Sequence, residues 1–224
     1  MMKKVHRMLN PVDVTGLLQA QPVSRLFGYD RGTPIDRHYI TSFLEKYRSM
    51  IHGNVLEIAD SAYSRRFASE GSVFHILTKD HPPHGEKMID GDLTAPNSLP
   101  QGTIDCFICT QTLPFIYDVK AAICSCHALL SEGGTLLCTV SGLSQISRYD
   151  MDRWGDYWRF TDLSIRKLME EVFEPSKVEI VTYGNVASVI AGLQGLAVED
   201  LDDRSILDRV DADYPMIIGV VARK

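Results

Sequence analysis

Short runs of apolar and β-branched residues recur along the chain. Between most of them lies a stretch whose apolar positions return every three or four residues. The first pattern predicts strands and the second predicts helices with one buried face. The strand runs are VLEI from Val55, SVFHIL from Ser72, EKMID from Glu86, IDCFICT from Ile104, GTLLCTV from Gly134, KVEIVTY from Lys177 and PMIIGVVA from Pro215. The clearest helix is PIDRHYITSFLEKYRSM. Pro34 opens it where a first turn tolerates proline, and Ile35, Tyr39, Ile40, Phe43, Leu44 and Tyr47 form one face. Phe115 to Leu130 reads as a second helix, stopped by a tight turn at Glu132-Gly133-Gly134. Thr161 caps a third that runs to Phe173, a fourth starts at Asn185, and a short candidate spans Val12 to Ala20.

Near-continuous apolar strands separated by helices indicate a sheet covered on both faces. The expected fold is therefore α/β, a doubly wound, seven-stranded, mostly parallel sheet. At 224 residues the chain is long enough for one domain with a substantial core. Residues 1–50 are expected to form a helical cap and 51–224 a Rossmann-like core. A net charge of -6 with no long Lys/Arg run argues against nucleic acid as a partner. No window approaches the ~20 apolar residues of a membrane span, and no signal-peptide core follows the basic start MMKKVHRMLN. The expected location is the cytoplasm, and a homodimer is compatible with the sequence. All five cysteines sit in apolar segments. Cys106 and Cys109 are a CxxC, but three apart on a strand they face opposite ways, so buried reduced thiols are expected and no metal site.

Ligands of doubly wound sheets lie beyond the carboxyl ends of the strands, where strand order reverses. That directs attention to residues 59–63, 77–81, 91–94, 110–114 and 141–160. Glu57 is an acid inside an apolar strand, so its carboxylate needs amides or a cation; tying down the following loop is one such role. Asp92 in Gly91-Asp92-Leu93 offers an acceptor for an exocyclic amine, and Thr110 and Gln111 add hydrogen-bonding side chains. Candidate bases are Asp36, His38, His75, His81, His84 and Asp118, with His75 read as packed in the core. The segment RYDMDRWGDYWRFTD interleaves aromatics, arginines and aspartates on a long loop, as a sugar-binding lid or an aromatic plug would. In RGTPIDR, Arg31, Asp36 and Arg37 either cover a ligand or form a structural ion-pair cluster with the WRFT segment.

The order VLEIAD, GDL, DCFICTQTL and LLSEGGTLL, followed by KVEIVTY and PMIIGVVA, resembles the class I S-adenosylmethionine-dependent methyltransferases. RGTPIDRHYITSFL and RWGDYWRFTDLSI resemble, more narrowly, bacterial methyltransferase-domain proteins associated with surface-polysaccharide glycosyltransferases. The resemblance covers roughly residues 25–224 and implies an antiparallel last strand. It implies S-adenosylmethionine as cofactor, with Glu57, Ala59, Asp60, Ser61, Asp92, Leu93, Thr110 and Gln111 around it. Arg31, Trp154, Tyr157 and Arg159 are then expected to meet a small-molecule or glycoconjugate acceptor, with Trp158 and Phe160 anchoring the loop. The implied reaction is O-methylation of a sugar-containing or natural-product intermediate.

Two departures stand against this pattern. The loop after the first strand has no glycine, so the backbone approaches a cofactor only if no φ > 0 is needed. The acid that usually closes the second strand is absent from Ile76-Leu77-Thr78 or displaced to Asp80. They support an alternative, a catalytically weak or inactive methyltransferase-like partner module. A nicotinamide enzyme is disfavoured because no GxGxxG follows the first strand.

Overall fold

A computed structural model describes residues 19–78 and 87–224. The expectations for Val12–Leu18 and for Asp80, His81 and His84 lie outside the described residues. Seven strands form one sheet: β1 (Asn54–Ile58), β2 (Val73–Thr78), β3 (Lys87–Asp90), β4 (Ile104–Thr110), β5 (Leu130–Ser141), β6 (Val178–Tyr183) and β7 (Ile217–Arg223). Their order is β3-β2-β1-β4-β5-β7-β6. The pairs from β3 to β5 are parallel, while β7 runs antiparallel to both β5 and β6, as expected. Strand order reverses between β1 and β4, which opens a crevice at their carboxyl ends.

Alternation along the central strands sorts side chains between two cores. Val55, Cys106 and Ile108 join the core formed with α1 (Ile35–Lys46), α2 (Ala62–Phe67) and α6 (Val186–Leu193). Leu56, Phe107 and Cys109 join the core under α3 (Val119–Leu129) and α5 (Asp162–Glu170). The CxxC thiols thus lie on opposite faces of β4. All five cysteines are free, and Cys109, Cys126 and Cys138 contact one another in a fully buried cluster.

Caps set the helix boundaries. Thr161 and Ser164 form a reciprocal capping box on α5, and Asn185 and Ser188 do the same on α6. The second predicted helix starts four residues late: Pro114 sits in a single 3-10 turn, and the Asp118 carboxylate accepts the Ala121 amide at 3.0 Å to begin α3. The expected turn at Glu132-Gly133-Gly134 is instead inside β5. A register shift against Ile104/Cys106 and a φ of 77° at Gly133 absorb it within the strand.

Candidate functional site

A cleft of about 1450 Å³ opens at the carboxyl ends of β1, β3 and β4. It continues between residues 22–37 and the loop after β5, which contains the four-residue helix α4 (Arg148–Met151). Drug-sized ligands fill cavities of roughly 300–1,000 Å³, so this volume accommodates two ligands side by side.

Glu57 is the penultimate residue of β1 and is almost fully buried. Its carboxylate accepts from the backbone N–H of Ser64 at 2.8 Å, the Ser64 hydroxyl at 2.7 Å and the backbone N–H of Tyr63 at 3.1 Å. Burial pushes the carboxyl above its usual pKa, against the opposing pull of these donors. Glu57 therefore lines the cleft while holding the first turn of α2 against β1, the loop-tying role.

The loop between them departs from expectation. Ala59 has φ 66°, the left-handed conformation that glycine adopts at least cost, so the premise that no positive φ is needed here is corrected. Asp60 then turns the chain, its carboxylate accepting the Ala62 amide at 2.9 Å, and Ser61 is buried behind it with its hydroxyl receiving Arg65 at 2.9 Å. Across the crevice, Gln111 has φ 50°. Its side chain bridges β4 to β5, donating to Thr139 at 3.3 Å and accepting from the Ser141 hydroxyl. Phe27, φ 58°, is the third non-glycine residue with positive φ among the described residues, and all three line this cleft. Strain of that kind, about 1–3 kcal/mol per residue, gathers at functional sites.

Asp92 and Leu93 complete this wall, with Asp92 accepting the Thr94 amide at 2.8 Å and Leu93 mostly buried beneath it. Thr78, at the place where an acid was expected, and Thr110 also line the cleft.

The aromatic loop forms the opposite wall. Trp154 and Tyr157 line the cleft and are 54% and 49% exposed, whereas Phe160 is 7% exposed and packs in the core. Trp158 is intermediate: 38% exposed, it stacks on Tyr117 and donates its indole N–H to the Ile116 carbonyl at 3.1 Å. Arg159 lines the cleft but is largely spent on structure. It forks onto the buried Asp156 at 2.6 and 2.9 Å and donates to the carbonyls of Ser144 and Gln145. Arg31 is not brought to the cleft. It pairs bidentately with Asp200 at 2.7 Å, a structural ion pair as one alternative held, but not with the WRFT segment.

Asp36 is the one described candidate base that lines the cleft. Desolvation raises its carboxyl above the usual value, opposed by the adjacent Arg37 guanidinium and amide. His75 contacts Asn54 at 3.3 Å, and Asp118 is the helix cap. Arg37 reaches Tyr29 at 2.6 Å and Tyr63 at 3.3 Å. Arg25, Phe27 and Tyr29 form a wall that periodicity does not reveal, and the aromatic run around Gly28 is its only mark in the sequence.

Residues 49–138, from before β1 into β5, match the family described as methyltransferase domain. The matched segment is 90 of the 224 residues. It contains all eight residues expected around the cofactor, from Glu57 to Gln111, whereas Asp36, Trp154, Tyr157 and Arg159 lie outside it. Solved structures share the fold of the chain. One is a SAM-dependent methyltransferase from Archaeoglobus fulgidus, with TM-score 0.56, 12% identity, 84% of this chain and 94% of that one. Another is the N-methyltransferase NodS from Bradyrhizobium japonicum WM9 in complex with S-adenosyl-L-homocysteine, with TM-score 0.54, 13% identity, 91% and 94%. The [4+2]-cyclase SpnF aligns with TM-score 0.55 and 16% identity over 94% of this chain and 93% of its own. A search of curated proteins found no match.

Proposed function

We propose that the protein transfers a methyl group to a hydroxyl of a sugar-containing or natural-product acceptor. The match of residues 49–138 to a methyltransferase domain supports the reaction class, and the fold shared with S-adenosylmethionine-dependent methyltransferases supports S-adenosylmethionine as the cofactor. When bound, that cofactor supplies an electrophilic methyl group on a sulfonium. The residues at the switch point fit it: Glu57, Asp60 and Asp92 give the wall the polarity that an ammonium and hydroxyl-bearing ligand requires. The left-handed turns at Ala59 and Gln111 re-aim the backbone there. In this reading Ala59, Asp60, Ser61, Asp92, Leu93, Thr110 and Gln111 surround the cofactor, and Glu57 positions their loop.

The acceptor half of the reading rests on one observation: a single cleft joins the switch point to the exposed faces of Trp154 and Tyr157 and to Asp36. Aromatic faces beside polar side chains suit a sugar ring, and in this reading Asp36, which lines the cleft and whose carboxyl burial raises above its usual value, accepts the hydroxyl proton. Methyl transfer needs little more than in-line positioning beyond that proton acceptor. The test is incubation with methyl-labelled S-adenosylmethionine and a panel of hydroxylated and aminated sugars and small phenols. Label recovered in a base-stable ether supports the reading. Label confined to N-methyl products, or release of S-adenosylhomocysteine in none of the mixtures, would overturn it.

A further inference from the structure

Charge divides the cleft. At the carboxyl ends of β1 and β3 its charged lining is acidic: Glu57, Asp60 and Asp92. Between the N-terminal segment and the loop after β5, five arginines line it against three aspartates, Asp36, Asp150 and Asp156. Those aspartates are occupied. Asp156 is forked by Arg159, Asp150 accepts the Ser147 hydroxyl at 2.6 Å, and Asp36 takes the Arg37 amide and lies beside its guanidinium.

Three of the arginines meet only neutral partners among the described residues. Arg25 donates to the Gln21 side chain at 2.6 Å. Arg148 reaches the Met151 sulfur at 3.1 Å. Arg153 donates to the Tyr149 carbonyl at 2.7 Å and lies 3.5 Å above the Tyr149 ring. They come from two separate segments that touch where Gln145 donates to the Arg25 carbonyl at 3.4 Å. One unpaired surface arginine means little. Three converging on one concavity, in a chain of net charge -6, form a local positive field against the charge of the whole. A guanidinium presents a planar fork that matches carboxylate and phosphate oxygens.

Resting on the methyltransferase reading, we infer that the acceptor carries an anionic group, a carboxylate or a phosphate, held by Arg25, Arg148 and Arg153. The acidic half then takes the cationic cofactor, and the opposite polarity of the two halves orients both ligands. Trp154 and Tyr157, which line the same cleft, take the neutral ring of the acceptor.

The experiment titrates glucuronate, glucose 1-phosphate and glucose into the full chain by calorimetry, at constant ionic strength, with and without saturating S-adenosylhomocysteine. At least one anionic sugar binds and glucose does not; which anion binds distinguishes carboxylate from phosphate. Arg148→Gln, Arg153→Gln and Arg25→Gln each weaken that anion roughly tenfold to a hundredfold, the range of a charge-assisted hydrogen bond. Arg153→Lys, which keeps the charge but not the fork, loses less binding than Arg153→Gln, and S-adenosylhomocysteine affinity is unchanged in all four. Equal binding of glucose, binding of neither anion, or loss of S-adenosylhomocysteine instead of the anion would overturn the inference. Failure of the wild type to bind S-adenosylhomocysteine counts against the methyltransferase reading alone, because the anion arm is also read without it.

Discussion

The backbone N–H of Ser64 donates to the Glu57 carboxylate at 2.8 Å, fastening the first turn of α2 to the end of β1. Both carboxylate oxygens are in use, so Glu57→Gln turns an amide N–H₂ toward a backbone donor. Leaving buried donors unmatched costs about 1–3 kcal/mol. Urea unfolding should show that loss, with a matching drop in cofactor affinity. A variant as stable as wild type would mean that the clamp does not hold the loop.

Ala59 carries the second prediction. In most positions Ala→Gly costs about 0.5–1 kcal/mol. With φ at 66° the native alanine is itself strained by about 1–2 kcal/mol, so the two terms oppose and Ala59→Gly should be neutral or mildly stabilising. Ala59→Val should destabilise, because a β-branched side chain tolerates the left-handed region least. Melting temperatures of the two variants check this, and equal losses in both would show that the turn is not left-handed in solution.

How far the sequence carries follows from where each signal is local. The strand runs and the caps at Thr161 and Asn185 are local, and they appear in the structure close to where periodicity puts them. The antiparallel last strand came from the family resemblance and also appears. Loop torsion is not legible in composition, so the left-handed turn at Ala59 stays hidden behind the absence of glycine. Arg31 fails for a different reason. Its partner Asp200 is 169 residues away, in a segment with no period to place it. Arg25, Phe27 and Tyr29 share that difficulty, since a wall made of irregular chain announces itself only once folded.

The aromatic loop separates anchors from contact residues. Phe160 is core, and Phe160→Ala should cost about 3–5 kcal/mol. Trp158→Ala should cost less, because over a third of the residue is exposed, though its indole bond to Ile116 and its stacking on Tyr117 are lost. Trp154→Ala and Tyr157→Ala should leave stability nearly unchanged and lower kcat/KM for the acceptor. Severe unfolding in the Trp154 and Tyr157 variants would make the loop a plug.

Asp36 gives a pH signature. Its folded pKa lies above the ordinary carboxyl value because burial disfavours the charge, with Arg37 opposing. The native state therefore binds more protons in that window, and Asp36 contributes a loss of stability as pH rises from the unfolded pKa through the folded one. Activity runs the other way, since only the carboxylate accepts a proton: kcat/KM should rise with pH through the raised value. Asp36→Asn should abolish that limb and most of the turnover while keeping cofactor binding. An unchanged pH profile in Asp36→Asn would remove it from the chemistry.

The central claim is that the crevice between β1 and β4 is a working cofactor site despite its glycine-free loop. Calorimetric titration of S-adenosylhomocysteine into the wild type and into Asp92→Ala tests it most directly. One cofactor should bind per wild-type chain. Asp92→Ala should weaken binding roughly tenfold to a hundredfold, the value of a charge-assisted acceptor, with the melting temperature of the free protein little changed. No binding to the wild type at millimolar ligand, by heat or by melting shift, would contradict the account and favour a partner module built on the same fold.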